Sequence, residues 1–271
     1  MRYVSEQGQG AVNEDAVVAG AGWAFVLDGA TAPPGVDSGC RHGVRWLVDR
    51  LAQGLTAELT APDAHRTPLQ EVLAAAILRT RAAHGPGCDL GDPDSPSATT
   101  AIVRATGDGL DHLVLGDCTV LLPGDAGPDD AGSGIGHPGE AAPSPVIAVT
   151  DDRLEHLPGG RPYSRALVRA ARNTEGGFWV AAASVDAAAH AVCGRARSPR
   201  RSFALLTDGC TRLVMNFGAT WPEAWSLLES GGPESLVAAV RTAERDRPVP
   251  GVKRHDDATA AFGAFDPPPP S

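Results

Sequence analysis

The sequence predicts an α+β fold in which sheets pack on one another and helices lie outside. Three observations carry this. Short apolar runs bounded by Gly, Asp or Pro recur along the chain, two long stretches of helical periodicity interrupt them early, and a later helical pair precedes a closing strand. Runs of that length and punctuation read as strands. Helices grouped between runs of strands point to separate helix and sheet layers.

In chain order, strands are expected over 16–19, 23–27, 99–105, 111–122, 146–150, 178–183, 203–207 and 258–265. Gly107-Asp108-Gly109 joins two of them as a hairpin turn. The helix expected over 39–55 places Val44, Leu47, Val48 and Leu51 on one stripe. The next, over 68–84, has a proline near its first turn and Leu69, Val72, Leu73 and Ile77 on one side. "WPEAWSLLES" (221–230) and "PESLVAAVRTAERD" (233–246) form the later pair, and shorter helices are expected over 164–172 and 185–191. The polar Gly/Pro/Asp stretch 123–145 is expected to be a mobile insert, and 267–271 a proline-rich tail. The rest, 1–266, reads as a single domain. The five tryptophans are expected to be core residues.

A chain with 42% hydrophobic and 21% charged residues is long and apolar enough to bury a sizeable core. No stretch approaches the roughly 20 apolar residues of a membrane span. The N-terminus lacks the apolar core of a secretory signal, so a cytoplasmic protein without membrane contact is expected. A net charge of −10, with Lys253 the sole lysine, opposes binding to a nucleic-acid backbone. The five cysteines are scattered, odd in number and contain no CxxC pair, which argues against a disulfide framework or a zinc ribbon. They are expected to be reduced and mostly buried.

The chemistry concentrates where apolar runs end on acids. "WAFVLDGATAP" stops at Asp28-Gly29 and "SFALLTDGCTRLV" at Asp208-Gly209. "NEDA" supplies Glu14 and Asp15, "VLGDC" Asp117, "VTDD" Asp151 and Asp152, and "HDDATAAF" Asp256 and Asp257. A lone Asp-Gly marks a turn. Repeated carboxylates on rigid strands are costly unless cations compensate them. Hard oxygen ligands of this kind favour Mg²⁺ or Mn²⁺ over zinc. Two such ions about 3.5–4 Å apart activate water and neutralise a phosphoryl group. Glycine after Asp28 lets the backbone come close enough for the Gly29 carbonyl to serve as a ligand.

Taken together and in order, "NEDA", "VLDG", "ATTAIV", "VLGDC", "LLTDG" and "DDATAAF" resemble the motifs of the metal-dependent Ser/Thr protein phosphatases of type 2C, from Asn13 to about Phe265. The resemblance implies a β-sandwich of two mostly antiparallel sheets flanked by helices, with a binuclear Mg²⁺ or Mn²⁺ centre at one end. It implies that Asp28 bridges both ions and that Gly29 offers its carbonyl to one. Asp208 and Asp256 complete the other ion's shell, with Asp257 beside them. Glu14 and Asp15 hold water around the Gly29-bound ion, and Asp117 serves a third, weaker ion found in bacterial members. The implied activity is hydrolysis of phosphoserine and phosphothreonine in a protein partner, in signalling, by a monomer.

Two departures stand out. The arginine that the family often carries three residues before the "NED" asparagine is Gly10 here. The loop after Gly29 reads Ala30-Thr31-Ala32-Pro33 in place of the family's usual histidine or second glycine pair. Arg41, His42 and Arg45, at the start of the following helix, are the substitutes the sequence offers. A helix start favours anions, so Arg41 and Arg45 are candidates for substrate phosphate and His42 for a general acid. The plainer reading is that they cap and solubilise the helix. Arg212 is a further phosphate candidate. The departures leave two other functions open: a catalytically weak binding or regulatory module, and a phosphatase for a small phosphorylated metabolite.

Overall fold

A computed structural model of the chain describes residues 1–30, 35–124, 145–160, 162–197, 200–249 and 253–266. Strands β1 (Arg2–Glu6), β2 (Ala16–Gly20) and β3 (Trp23–Ala30) precede the helices α1 (Val44–Leu59) and α2 (Leu69–Ala83). Four strands follow: β4 (Ser97–Ala105), β5 (Gly109–Leu115), β6 (Thr119–Pro123) and β7 (Val146–Thr150). The remainder is α3 (Arg165–Ala171), α4 (Asp186–Ala189), β8 (Val192–Arg197), β9 (Ser202–Leu206), α5 (Asp208–Met215), α6 (Trp221–Gly231), α7 (Pro233–Asp246) and β10 (Ala258–Ala264). Two five-stranded sheets result, ordered β1-β10-β9-β6-β7 and β2-β3-β4-β5-β8. Every strand pairing within them is antiparallel.

The layers follow from side-chain alternation along each strand. Ala24 and Val26 of β3 face the inter-sheet core with Ala101, Val103, Val120, Phe203, Leu205 and Ala261. Phe25 and Leu27, one residue out of phase, pack instead under Leu47, Val48, Leu51 and Leu55 of α1 and Leu73 and Ile77 of α2. The second sheet is covered on its outer face in the same way, with Ala204, Leu206 and Ala260 under Trp225, Leu236, Val237 and Val240. Both faces of each central strand are therefore buried, which is why these strands read as continuous apolar runs.

Besides the unexpected helix α5, four segments depart from expectation. β1 is an edge strand whose residues are exposed except half-buried Val4, so it has no apolar run to betray it. The run expected over 111–122 divides at Gly116-Asp117, where the chain leaves one sheet for the other. Residues 178–183 form no strand; Ala181 makes only an isolated bridge to Ala98, and Phe178 and Val180 pack in a small cluster with Leu157 and Ala171. The edge of that sheet is instead the mostly exposed β8, which the apolar criterion passes over. Of the insert expected over 123–145, only the ends lie within the described residues, where Gly124 N donates to the Pro145 carbonyl at 2.7 Å. The 267–271 tail and Thr31-Ala32-Pro33 lie outside them. No described helix is long and apolar enough to cross a membrane.

Candidate metal centre

At one end of the inter-sheet core the alternation continues but the residue type changes. Following Val26 by two gives Asp28, Ala101 less two gives Thr99, Leu205 plus two gives Thr207, and Ala261 less two and four gives Thr259 and Asp257. Val17 packs on the same core, and two residues before it is Asp15. The apolar layer between the sheets thus ends in carboxylates and hydroxyls from β3, β4, β9, β10 and the approach to β2.

Hydrogen bonds lock this rim. Thr207 N donates to the Thr259 carbonyl at 3.0 Å, Thr259 N donates to Thr207 Oγ1 at 2.9 Å, and that hydroxyl donates to Asp15 Oδ2 at 2.8 Å. Asn13 of "NED" accepts from Asp15 N at 2.9 Å and donates to Ser5 Oγ at 2.9 Å, so it shapes the turn that presents the two acids. Asp257 accepts from Gly8 N and Glu14 N, each at 2.7 Å. Asp208 is the first residue of α5 rather than the end of a strand, and its backbone N–H donates to Asp28 Oδ2 at 3.3 Å. The partial positive charge of a helix start suits a carboxylate there. Asp151 accepts from Gly116 N at 3.1 Å and pairs with Arg153, which holds the turn carrying Asp117.

Two glycines are dictated by close approach. A Cβ on Gly29 would lie 2.5 Å from Val44 Cγ1 and 2.8 Å from the Glu14 carbonyl. One on Gly209 would lie 1.9 Å from the Asp257 carbonyl oxygen. The "DG" pairs are therefore packing requirements of the site, not turn residues alone.

The electrostatics call for a cation. Burial pushes the Asp28 carboxyl well above its ordinary range, and Asp208, Asp15 and Asp117 push it further. Asp208 is pushed up to about 8 by burial and by Asp117 and Asp256. Asp15 is pushed up to about 7, chiefly by burial, and its Oδ1 is a buried acceptor without a hydrogen-bond partner. These residues fit a hard divalent ion: oxygen donors, mutual repulsion and an orphaned lone pair.

A pH effect follows. In the metal-free chain these groups hold protons more tightly folded than unfolded, so their stabilising contribution is full below about pH 4 and lost as pH rises to about 8. The melting temperature of chelator-treated protein is expected to fall between pH 5 and 8, and Mn²⁺ at pH 8 is expected to restore it. A flat profile with no metal response would separate these groups from any cation.

A cleft of about 860 Å³ opens beside Glu14, Asp28, Gly29, Asp117, Asp208 and Asp256. It is also lined by residues that sequence reasoning missed: Arg165, Arg169, Lys253 and Tyr163. Lys253 Nζ lies 2.9 Å from Asp256 Oδ1, and Arg165 pairs with Asp94 while its side chain remains 51% exposed. Arg172 also lines the cleft but donates to the carbonyls of Pro93 and Ser95, a structural role. The one signal available was that the chain's sole lysine stands three residues before Asp256.

The proposed substitutes for the missing arginine are elsewhere. None of Arg41, His42 and Arg45 lines the cleft. Arg45 is occupied from α1, donating to the carbonyls of Asn13 and Asp15 at 3.0 and 2.9 Å and pairing with Asp49. Its role is to hold the loop that carries Glu14 and Asp15. Arg41 lies against Gly85. His42 stacks on Trp46 at 3.9 Å and points Nδ1 at the sulfurs of Cys40 and Cys88, at 3.7 and 3.5 Å. Arg212 is buried against Glu244. Gly10 is exposed, its carbonyl capped by Gln7 Nε2 at 2.7 Å. The reading of the cysteines is corrected too: Cys118 and Cys210 are buried thiols, Cys193 is exposed, and Cys40 and Cys88 are half-buried neighbours.

The family model described as "Protein phosphatase 2C" matches residues 4–241. The chain belongs to the protein phosphatase 2C family. The match stops short of Asp256 and Asp257, which the fold nonetheless brings to the rim. Among solved structures, the chain is similar to the Mycobacterium tuberculosis serine/threonine phosphatase PstP/Ppp, at 15% identity and a TM-score of 0.58, covering 98% of each chain. It is similar to PppA, a regulatory component of the type VI secretion system in Pseudomonas aeruginosa, at 19% identity and a TM-score of 0.57, covering 96% of this chain and 94% of that one. A PstP catalytic domain in complex with two manganese ions matches at 17% identity and a TM-score of 0.53, covering 96% of each. These likenesses establish the phosphatase 2C fold, two packed antiparallel sheets between helical layers. No curated protein matches the sequence.

Proposed function

We propose that this chain is a Mg²⁺- or Mn²⁺-dependent phosphatase that removes phosphate from phosphoserine and phosphothreonine in a protein partner. The observation that carries this reading is the convergence of Asp28, Asp208, Asp117 and Asp256, with buried Asp15 behind them, at the end of the inter-sheet core, beside a cleft that Arg165, Arg169 and Lys253 also line. Asp28, Gly29, Asp208 and Asp256 would hold two ions, with Glu14 and Asp15 steadying their water and Asp117 serving a third. Divalent ions so held supply an activated water and neutralise phosphoryl charge. The manganese-bound PstP domain supports this reading by analogy.

The chain's own residues supply the rest. Arg165 lines the cleft, and although paired with Asp94 its guanidinium is exposed enough to meet a phosphate dianion, a bidentate match in charge and shape. Leu154, Val168, Phe178 and Val180 belong to one small cluster and form an apolar strip of the cleft lining. That strip favours the flanks of a peptide over a small polar metabolite. Arg165→Ala is expected to raise KM for a phosphopeptide about fivefold with a smaller change in kcat, the size of about 1 kcal/mol for a half-exposed charged contact. An unchanged KM would take Arg165 out of substrate binding.

The deciding experiment is hydrolysis of p-nitrophenyl phosphate by metal-stripped protein titrated with Mn²⁺ and Mg²⁺, followed by phosphopeptides beside phosphorylated metabolites. Saturable, metal-dependent turnover with preference for phosphopeptides is the expected result. Metal binding without turnover would favour a regulatory module, the reading that Gly10 motivates. Preference for a metabolite would overturn the protein substrate.

A further inference from the structure

We propose that Cys40, His42, His84 and Cys88 form a structural zinc site, separate from the carboxylate centre, that clips the start of α1 to the end of α2. The four ligand atoms all lie within 4.8 Å of one another. Cys40 Sγ is 3.3 Å from Cys88 Sγ, 3.7 Å from His42 Nδ1 and 3.6 Å from His84 Nδ1, and Cys88 Sγ is 3.5 Å from His42 Nδ1. With zinc–sulfur bonds of about 2.3 Å and zinc–nitrogen bonds of about 2.0–2.1 Å, a tetrahedral site has sulfur–nitrogen edges of about 3.6 Å and sulfur–sulfur edges of about 3.8 Å. The three sulfur–nitrogen separations match that edge. The sulfurs stand slightly closer, yet far outside the roughly 2.05 Å of a disulfide.

The surroundings are built for a fixed geometry. Trp46 stacks on His42 at 3.9 Å and meets His84 edge-on at 4.6 Å, so one indole sets both imidazoles. His42 N donates to Cys40 Sγ at 3.4 Å, the contact that stabilises a thiolate. Asp89 N donates to the Gly39 carbonyl at 2.6 Å, tying the two ligand-bearing loops together. Two thiolates and two imidazoles in a tetrahedron select zinc over the hard ions that suit the carboxylates.

The consequence reaches the cleft. Cys40 lies on the connection that leaves Gly29, and Cys88 opens the segment whose Asp92 and Asp94 pair with Arg169 and Arg165 of the cleft wall. Zinc there braces both segments at the open end of the helical hairpin.

The test uses the full chain purified under reducing conditions without chelator. Metal analysis is expected to find one zinc ion per chain, lost in the Cys40→Ser/Cys88→Ser variant and retained in Asp28→Asn. Replacing zinc by Co²⁺ in the unmodified chain should produce the thiolate charge-transfer and ligand-field absorption of tetrahedral cobalt, a readout that survives a misfolding variant. Alkylation of Cys40 and Cys88, mapped by mass spectrometry, should be blocked by zinc. Zinc retained by the double variant would place it at the carboxylates and overturn the proposal. So would a metal-free native protein, with both thiols freely alkylated or both already joined as a disulfide.

Discussion

Asp208→Asn is expected to lower Mn²⁺-dependent turnover of an aryl phosphate by about 10³-fold or more. The removed charge would otherwise help hold a cation worth several kcal/mol to the transferring phosphoryl group, and each 1.4 kcal/mol is about tenfold in rate. The fold should survive, because the backbone N–H of Asp208 that bonds Asp28 is untouched and the side-chain volume is nearly constant. Metal-free variant protein should even be more stable than the parent near pH 8, since a buried acid held up by Asp117 and Asp256 has been neutralised. Loss of activity together with a gain in apo stability is the signature of a carboxylate kept for function. Thermal melts and metal titrations of Asp208→Asn and Asp28→Asn would read both. Full turnover in Asp208→Asn would remove it from the ligand set.

The second large effect is on stability. Glu244 of α7 has a side chain fully shielded from solvent, between Arg212 at 2.8 Å, Arg241 at 2.9 Å and His255 Nδ1 at 2.7 Å. Arg241 also reaches Glu6 and donates to the Asp256 carbonyl at 2.8 Å. Glu244→Ala leaves the buried Arg212 without a carboxylate and Arg241 with Glu6 alone, and a loss of about 3 kcal/mol is expected by urea unfolding. The Asp256–Asp257 segment should loosen with it, so Mn²⁺ affinity should fall as well. A change below about 1 kcal/mol would mean that water or a rearranged partner takes over the arginines.

Much of this was visible in the chain. The acids at Asp28, Asp208, Asp15 and Asp256 announce themselves because each interrupts, follows or precedes an apolar strand, a placement that is expensive without a purpose. Helices α1, α2, α6 and α7 announce themselves by a one-sided apolar stripe. What stayed hidden lacks that contrast. β1 and β8 are exposed edges, held by backbone pairing that leaves no mark on residue type. Glu244 sits in "TAERD", which looks like a solvated helix end until α5 and the 253–257 segment close over it. His42 invited a catalytic reading because it stands at the start of the helix after the Asp28 loop and imidazole exchanges protons near neutral pH. Its neighbours in space are Cys40, Cys88 and His84, brought together by the α1–α2 hairpin across spacings that no CxxC rule detects.

By itself the sequence determined the layered α+β class, the order of the acidic motifs and the oxygen-rich chemistry, because these are local: strand period, helix period and residue type. Tertiary structure alone decided which groups share a site. Arg165 joins the lining of the carboxylates' cleft from a segment distant in the chain, while Arg45 and Arg212 are drawn away to backbone carbonyls and a buried glutamate. Charge acts over a few ångströms in space, whatever the separation along the chain, so the partners of a charged side chain are settled by packing.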